Sequence, residues 1–420
     1  GNSFDGLHAD IFTKDPEAVI DQMREIVRER GQLSFGSKYL GGEGFGILRA
    51  GEYRDAANKA NIVDTQRDFW IRNGRTAGHG HPDALNLGIE AFGINMAPEL
   101  GYPEATGSDP NRVQWINSSI SHNTVTVDLK PDCNIAASGQ TQHFDDSGRV
   151  KMMDLSHDAY VKKYSDGIYR RTLVMVDASD EVSYGIDFFR VKGGNDHLYS
   201  FHSQSDTVAE VTGLSLRDQK RAVDIDADGN PVYEWIGSYA GADVPWGVDT
   251  ASNASSRYGT TWLEHIRKDK APKGAFSVDY KIDDFREVLP YEMDLHLRVT
   301  MLNNDLSEVT LAKGTPPRVR GNPSKLEFLI ARRKGTNLDT LFTTVYEPYR
   351  DERYIEQLEG IDNMSPDAAK VKLLQAHQDD PSVTSRTVIH AKSGTEGEND
   401  VARAVKVTLC GGRVDYVIIN

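Results

Sequence analysis

Cysteine and long hydrophobic runs are scarce in this sequence of 420 residues, whose two cysteines are Cys133 and Cys410. Two cysteines are too few for a zinc site built on thiolates, and the sequence does not decide whether they pair. No apolar run approaches the roughly 20 residues that a membrane-spanning helix requires. We therefore expect neither a thiolate zinc site nor a transmembrane segment.

Basic residues are fewer than acidic ones: the sequence has 48 Lys and Arg against 63 Asp and Glu, which gives a net charge of −15. A protein with such a field does not attract nucleic acid or an anionic membrane non-specifically, so we expect neither as a partner. An anionic ligand would have to be attracted by a local basic cleft. The hydrophobic fraction of 38% is typical of a soluble folded protein.

Several enzyme motifs are missing. There is no Gly-x-Ser-x-Gly element, and Gly41-Gly42-Glu43-Gly44 lacks the Lys-Ser/Thr of a phosphate-binding loop. The sequence opens at Gly1 with neither a Met nor a charged-then-apolar leader. We therefore expect it to be part of a longer protein.

One helix is predicted near the start, where Asp15-Pro16-Glu17 combines an N-cap, a proline at the first helical position and an acidic first turn. Gly31 should end this helix. The apolar residues that fall on one of its faces are Val19, Ile20, Met23, Ile26 and Val27. It is interpreted either as the last helix of a larger helical domain or as a short helix packed on a sheet.

From about Gly44 onward, short runs rich in β-branched residues alternate with turn residues, which predicts strands. Helical patterns return only in patches, such as Ile355–Leu358 and Asp367–His377. Many strands without regular helical crossovers favour a mainly β fold with a large antiparallel sandwich. A proline-rich stretch suggests a boundary near residue 315. The predicted strands are 46–49, 68–72, 123–128, 171–176, 184–191, 198–202, 325–331 and 405–417, the last with a hairpin turn at 410–413.

The densest polar cluster is Gly78-His79-Gly80-His81-Pro82-Asp83. On an extended segment His79 and His81 point to the same side, so both can address one site. The glycines permit close approach of a backbone or a ligand. Asp83 is placed to accept a hydrogen bond from an imidazole and so to set its tautomer. These features favour a functional site over a turn with solvated histidines.

Two further side chains can join this cluster, because Glu99 follows an apolar stretch and His122 precedes a predicted strand. Together with His81 they would supply two nitrogens and one oxygen, a donor set suited to zinc with one position open to water. The spacing is not a local zinc motif, and each residue taken singly has a purely structural interpretation. The His-x-His-x-Asp element also resembles metallo-β-lactamase-type hydrolases, although Ala84 stands where those enzymes have a further His.

Several sequence blocks, in order, resemble the heparinase II/III-type polysaccharide lyase family. The similarity is greatest to the branch that contains oligoalginate lyases and exo-acting heparin lyases. The matching blocks are His79–Asn86, Ala91–Gly93, Pro98–Tyr102, Trp115, Ile120–Val125, Asp187–Gly194 and Tyr199–His202.

This resemblance implies a fold, a reaction and partners. Members join an N-terminal α/α toroid to a C-terminal antiparallel β-sandwich of the supersandwich type, and they cleave uronate-containing polysaccharides by β-elimination. Residues 1–44 would be a helical remnant and linker of the toroid, 45–315 the sandwich, and 316–420 a second β domain or a sandwich extension. The partners would be the toroid of the same protein and an anionic polysaccharide of the heparin, heparan sulfate or alginate type. A periplasmic or secreted location follows from that substrate class.

The resemblance also implies roles for individual residues. His81, Glu99 and His122 correspond to zinc ligands, although many members have Asp in place of Glu99. His79 corresponds to a catalytic histidine. The base and acid of the family, a Tyr together with an Asn or His, belong to the toroid. The chain by itself would therefore lack part of its active site.

Other polar and aromatic residues near these blocks are weaker candidates for substrate binding. Arginines can pair with carboxylate or sulfate, and aromatic rings can stack on sugars, but surface charge and core packing are their commoner roles. The candidates are Arg72, Arg75, Arg112, Trp115, Tyr102 and His202. Two alternative functions stay open: a non-catalytic carbohydrate-binding β-sandwich and a metallohydrolase.

Overall fold

The computed structural model consists mainly of antiparallel strands, which confirms the fold class expected from the sequence. None of the helices in the described residues is long and apolar enough to cross a membrane. Cys410 is exposed, whereas Cys133 lies outside the described residues, so their pairing stays open. The described residues are 15–30, 36–51, 65–75, 80–103, 109–129, 137–157, 161–247, 259–289, 291–303, 305–319, 321–364 and 402–419.

The first sheet is a five-stranded meander in which each strand pairs with the next along the chain. Its strands are β1 (Lys38–Leu40), β2 (Phe45–Ala50), β3 (Arg67–Arg72), β4 (Asn86–Ala91) and β5 (Ile94–Ala97).

Two larger sheets form the sandwich. The eight-stranded sheet has the order β12 (Val208–Thr212), β17 (Phe276–Ile282), β18 (Leu295–Met301), β21 (Asp339–Arg350), β10 (Ser183–Lys192), β9 (Ile168–Asp177), β8 (Val150–Ser156) and β7 (Gln140–Asp145). The six-stranded sheet has the order β13 (Arg217–Asp218), β16 (Leu263–Asp269), β19 (Glu308–Gly314), β20 (Leu326–Lys334), β11 (Asp196–His202) and β6 (Val125–Val127).

Two small sheets and a few helical turns complete the described fold. The hairpin comprises β14 (Lys220–Ile225) and β15 (Pro231–Trp235), and the three-stranded sheet comprises β22 (Ile355–Met364), β23 (Ala402–Leu409) and β24 (Val414–Ile419). The helical elements are α1 (Pro16–Arg30), a π-helical turn (Asn111–Ile116) and two 3₁₀ turns (Ser119–Ser121 and Thr260–Trp262).

The alternation of side chains along β9 explains the layering. Leu173 and Met175 point into the core between the two large sheets, which the five-stranded sheet also joins. Val174 and Val176 point the other way and belong to a second core with Val405 and its neighbours in the three-stranded sheet. Because successive side chains in a strand point to opposite faces, a continuous apolar run buries both sides of the eight-stranded sheet.

The start of α1 agrees with the sequence, because the carboxylate of Asp15 accepts a hydrogen bond of 3.0 Å from the backbone N–H of Ala18. This is the N-cap contact expected for an aspartate before a proline at the first helical position. Val19, Met23 and Ile26 of its apolar face are exposed. The interpretation of this helix as a remnant of a toroid stays a prediction.

The C-terminal region contains one wrong prediction and one correct one. Ile355–Leu358, expected to be helical, begins strand β22. Leu358 lies opposite Val407 in the three-stranded sheet, so cross-strand pairing overrides the helix-forming Glu and Gln residues. The hairpin turn at 410–413 is confirmed, with Gly411 and Gly412 at positive φ of 91° and 86°. The predicted helical patch Asp367–His377 lies outside the described residues.

The expected boundary near residue 315 falls between paired strands of the six-stranded sheet. β19 ends just before it, and β20 follows it and hydrogen-bonds to β19. β20 and β21 are therefore strands of the sandwich, in keeping with an extension of the sandwich beyond 315. The division into domains at 44 and 315 otherwise stays a prediction.

A buried histidine of β11 should make the stability of the fold sensitive to acid. His197 Nε2 donates a hydrogen bond of 2.7 Å to the Gly193 carbonyl, and its Nδ1 lies 2.8 Å from Thr340 Oγ1. Burial lowers the pKa of His197 below its ordinary value of 6.5, an effect that outweighs the hydrogen bond to Gly193. Below about pH 6.5 this histidine is protonated in the unfolded chain but stays neutral in the folded protein until a lower pH. The free energy of unfolding therefore falls as the pH falls.

We expect His197→Asn to flatten this dependence, as measured by urea unfolding at about pH 7 and about pH 5. The readout is the difference between the two pH values, so a uniform loss of stability in the variant does not affect it. His143→Asn, at an exposed histidine of β7, is the matched control. A dependence as steep in His197→Asn as in the unaltered protein would contradict the assignment.

Candidate metal centre

The hairpin of β4 and β5 brings two of the predicted metal ligands to one end of the five-stranded sheet. Its two-residue turn, Phe92-Gly93, has positive φ at both positions (56° and 78°), as a tight hairpin with the twist of its strands requires. Because β4 and β5 are antiparallel, the first residue of β4 and the last residue of β5 lie at the same end of the sheet. His81 precedes β4 and Glu99 follows β5, so both residues lie at this end of the sheet.

A second segment carries His122 to the same place. Ser119 donates a hydrogen bond of 2.8 Å to the carbonyl of Pro82, and Thr124 donates one of 2.6 Å to the carbonyl of Ala84. Between them Asn123 donates 3.0 Å to the carbonyl of Leu87. These contacts join residues 119–124 to the segment that contains His81, which fixes the position of His122.

The three side chains meet at a single carboxylate oxygen. Glu99 Oε1 lies 2.8 Å from His81 Nδ1 and 3.2 Å from His122 Nδ1, and the rings of the two histidines are stacked at 5.2 Å. One ligand atom from each residue lies within 4.8 Å of the others. His81 and His122 are buried, whereas about a quarter (25%) of the Glu99 side chain is exposed, so the site opens to solvent on one side.

The surroundings keep Glu99 ionised. Burial by itself would raise its pKa, but His122 and His81 outweigh this effect and hold the pKa of Glu99 well below its ordinary value. Its second oxygen accepts a hydrogen bond from the backbone N–H of Gly101. Burial would likewise lower the pKa of His122, but the negative charge and hydrogen-bonding capacity of Glu99 raise it instead.

The donor set fits a divalent metal ion. His122 Nε2 lies 3.0 Å from the carbonyl oxygen of Ile116 and donates to it, so in the neutral ring Nδ1 carries a lone pair on the side of Glu99. His122 Nδ1 and His81 Nε2 are buried nitrogens without a hydrogen-bond partner. Buried polar atoms of this kind call for a partner, and two imidazoles with one carboxylate form a set that binds zinc with an open position.

Two of the weaker candidates lie beside this triad. The ring of Tyr102 is parallel to that of His81, with centroids 6.0 Å apart and planes 4° apart. The guanidinium of Arg112 lies over the ring of Tyr102, with its Cζ atom 5.0 Å from the ring centroid. Tyr102 and Arg112 are both partly exposed. They are therefore placed where a ligand at the metal centre could contact them.

Asp83 pairs with an arginine, whereas its expected hydrogen bond to an imidazole stays a prediction for His79, which lies outside the described residues. Its carboxylate lies 3.2 Å from Arg72 Nε, and no hydrogen bond to His81 or His122 occurs among the described residues. Burial raises the pKa of Asp83, against the lowering effects of His122 and Arg72. Arg75 is exposed. Asp83 thus contributes negative charge close to the histidines while it holds Arg72.

Trp115 and His202 are placed in the interior. Trp115 is fully buried and packs edge-on against Phe328 at 5.2 Å. His202 is buried against the same phenylalanine at 4.8 Å, and burial lowers its pKa to about 4. These positions favour packing roles over direct contact with a substrate. His79 lies outside the described residues, so its predicted catalytic role stays a prediction.

Sequence reasoning missed the contacts that hold the ligands in place. Arg171 is fully buried, pairs with Asp187 at 2.7 Å, and donates hydrogen bonds of 2.6 Å to the carbonyls of both Leu85 and Asn123. It therefore ties together the segments that carry His81 and His122. The sequence shows Arg171 only as a charged residue near the start of an apolar strand. That position does not indicate which carboxylate or carbonyls it would contact.

Residues 68–264 match the family profile described as heparinase II/III-like, C-terminal. This part of the chain is similar to the C-terminal domain of the heparinase II/III-like family. All three members of the triad lie within the matched residues, and so do β4 to β15. No curated protein sequence matches the chain.

Solved structures share the fold of this heparinase II/III-like chain. The heparan sulfate lyase HepC from Pedobacter heparinus is 12% identical, with a TM-score of 0.53 over 96% of this chain and 46% of that protein. A heparinase III gene product is also 12% identical, with a TM-score of 0.52 over 94% of this chain and 44% of its own length. A further heparinase III structure has 11% identity and a TM-score of 0.50 over 92% and 43%.

The profile match confirms the family resemblance, and the solved structures confirm the antiparallel β architecture. At such low identity they concern the fold alone. The heparinase II/III-like chain spans about half the length of the proteins whose structures it matches. Activity, substrate and partners of the whole protein are therefore matters for a proposal.

Proposed function

We propose that this chain is the C-terminal part of a polysaccharide lyase that cleaves a uronate-containing polysaccharide by β-elimination. The observation that carries the proposal is the assembly of His81, Glu99 and His122 within a heparinase II/III-like domain. The named activities of HepC and the heparinase III proteins support heparin or heparan sulfate as the substrate type, with alginate as the alternative.

His81, Glu99 and His122 would hold zinc. Two buried nitrogens without hydrogen-bond partners and a carboxylate that stays ionised are the support for this assignment. When bound, zinc would cross-link the segment before β4, the segment after β5 and the segment before β6, a structural role that leaves the chemistry to side chains. His79, two residues before His81, would thereby be held at the rim of the site.

The reaction sets clear demands on the side chains. A base removes the proton at C5 of the uronate, the C4–O glycosidic bond breaks, a C4=C5 double bond forms, and an acid gives a proton to the leaving oxygen. Negative charge that develops next to the uronate carboxylate must be stabilised by donors or cations. We assign His79 to proton transfer at this centre, because an imidazole changes its charge near neutral pH.

The remaining groups of the active site would come from an α/α toroid of the same protein. Exposed cations are needed on this chain because its net charge is −15 and the substrate is anionic. Arg112 and Tyr102 beside the triad, together with Arg72 and Arg75, are the candidates for contacts to carboxylate, sulfate and sugar ring. A periplasmic or secreted location follows from the size and charge of such a substrate.

The proposal predicts that the longer protein generates ultraviolet absorbance of the unsaturated uronate on heparin, heparan sulfate or alginate. His79→Ala should lower kcat by about 10²- to 10⁴-fold, the usual contribution of a general acid or base, while the zinc content stays unchanged. His143→Ala, on the exposed face of β7, is the matched control and should keep full activity.

The other outcomes separate the alternatives. Polymer binding that survives His79→Ala, with no turnover by any form of the protein, would indicate a carbohydrate-binding sandwich. Hydrolysis by this chain alone, lost on chelation, would indicate a metallohydrolase. An absence of unsaturated product on all three polymers would refute the lyase assignment.

A further inference from the structure

A cavity of about 460 Å³ adjoins the metal centre and shares Glu99 and Tyr102 with it. Its other walls come from the tip of the β4–β5 hairpin, from residues 284–288 between β17 and β18, and from residues 316–326 between β19 and β20. This volume lies within the range of about 300–1,000 Å³ that small-molecule sites occupy.

The walls of the cavity are fixed by hydrogen bonds between distant segments. The backbone N–H of Gln204 donates 2.9 Å to the carbonyl of Met96 in β5, and its side chain donates 2.8 Å to the carbonyl of Asp283. Gln204 therefore sets the distance between the strand that leads to Glu99 and the loop that follows β17. On the opposite side Asn322 donates 3.1 Å to the carbonyl of Pro317.

One cation of the cavity has only neutral partners. Arg286 approaches Asn322 Oδ1 at 3.5 Å, and it forms no ion pair with any carboxylate of the described residues. Its aliphatic stem lies over Gly321, where a Cβ atom would stand 3.1 Å from Arg286 Cγ. Arginines elsewhere, such as Arg190 and Arg332, pair with carboxylates. The charge of Arg286 is thus available to a ligand.

The acidic residues of the cavity are largely engaged. The carboxylate of Asp284 accepts backbone hydrogen bonds from Val288 at 3.1 Å and Leu289 at 2.7 Å, and that of Glu99 is shared by the two histidines. Glu90, half-buried in β4, is the third carboxylate of the lining. Exposed apolar surface comes from Phe285 and Val288.

We infer that this cavity is a binding subsite for an acidic sugar, with Arg286 as the residue that recognises its negative group. A guanidinium pairs bidentately with a carboxylate or a sulfate, and the exposed ring of Phe285 offers a face for the C–H side of a sugar ring. The occupant would be one or two residues of a uronate-containing oligosaccharide next to the metal centre. The inference rests on the proposed function for the identity of the polymer.

Binding of disaccharides to this chain, measured by calorimetry, tests the subsite without any turnover. The probes are an unsulfated uronate–hexosamine disaccharide, its sulfated counterpart and a neutral hexosamine disaccharide. We expect the acidic probes to bind, the neutral probe to bind at least about tenfold more weakly, and Arg286→Gln to raise the Kd of the acidic probes about tenfold or more. The two acidic probes show whether carboxylate alone or sulfate is recognised.

Arg318→Gln is the matched control, because Arg318 is an exposed arginine of the same segment between β19 and β20 but is not one of the residues that line the cavity. Its Kd should change less than about twofold. The subsite is refuted if the unaltered chain binds no acidic probe, if Arg286→Gln binds as well as the unaltered chain, or if Arg318→Gln loses as much affinity. Arg286-dependent binding in a protein without lyase activity would instead leave the subsite standing and refute the proposed reaction.

Discussion

His122→Ala should lower the affinity of the protein for zinc by at least about 100-fold, because it removes one of only three protein donors. The remaining pair, His81 and Glu99, already interact with each other at 2.8 Å and offer one nitrogen and one oxygen. A metal site with two protein ligands has lost both its geometry and much of its binding free energy. The loss should appear as a substoichiometric metal content after dialysis.

The thermal midpoint provides an independent measure of the same loss. Zinc that binds only the folded state raises the free energy of unfolding in proportion to the logarithm of its concentration over Kd. We expect added zinc to raise the Tm of the unaltered chain and to leave that of His122→Ala nearly unchanged. Chelator should lower the Tm of the unaltered chain towards that of the variant.

His202→Ala is the matched control for this experiment. His202 is buried as deeply as His122 and its backbone carbonyl accepts a hydrogen bond from Asn123, but its side chain is outside the triad. The control should lose packing stability and still bind one zinc ion. Stoichiometric zinc in His122→Ala, or equal loss of zinc in both variants, would contradict the assignment of His122 as a ligand.

Arg171→Met should destabilise the fold by about 3–5 kcal/mol, the range found when one partner of a buried ion pair is removed. Both Arg171 and Asp187 have no exposed surface, and the guanidinium makes two hydrogen bonds to the carboxylate, of 2.9 and 2.7 Å. Asp187 would be left as a buried charge with only tyrosine hydroxyls as donors, from Tyr199 and Tyr346. The free energy of unfolding in urea measures the effect.

Two further variants isolate the buried pair. Arg190→Met, in the exposed pair with Asp339 of neighbouring β21, should change stability by less than about 1 kcal/mol. Arg171→Met combined with Asp187→Leu should recover part of the loss, because no charge then stays buried. Recovery should be incomplete, since the carbonyls of Leu85 and Asn123 lose their shared donor. A loss below 1 kcal/mol in Arg171→Met would show that the pair is not essential.

The contacts of Arg171 connect this prediction to the metal centre. Arg171 Nη1 donates hydrogen bonds to the Leu85 carbonyl, before β4, and to the Asn123 carbonyl, before β6. Removal of this side chain should therefore also weaken zinc binding. The same measurement of metal content applies to the folded fraction of the variant. An unchanged zinc affinity would mean that Ser119, Asn123 and Thr124 are sufficient to join the two segments.

Local features of the fold followed directly from the sequence. Alternation of apolar residues predicts strands because successive side chains point to opposite faces, and β9 and β10 confirm it. Asp15 and Pro16 predict the start of α1 because the first turn has unpaired N–H groups. The exception is Ile355–Leu358, where pairing with β23 outweighs local propensity.

The metal ligands were predictable in identity but not in arrangement. His81, Glu99 and His122 are found by their resemblance to a family, whereas their spacing of 18 and 23 positions carries no zinc motif. Their meeting depends on a hairpin that closes at Phe92-Gly93 and on hydrogen bonds from Ser119 and Thr124 to a segment about 40 residues earlier. No local pattern encodes such contacts.

The sequence by itself determined the β class, the first helix and the residue types of the metal centre, because backbone periodicity, capping and donor chemistry act within a few residues. Only the tertiary structure decided that Trp115 and His202 are interior, that Asp83 pairs with Arg72, and that Arg286 faces the cavity beside Glu99. Burial and pairing depend on which distant segments become neighbours, and that is settled by the packing of whole sheets.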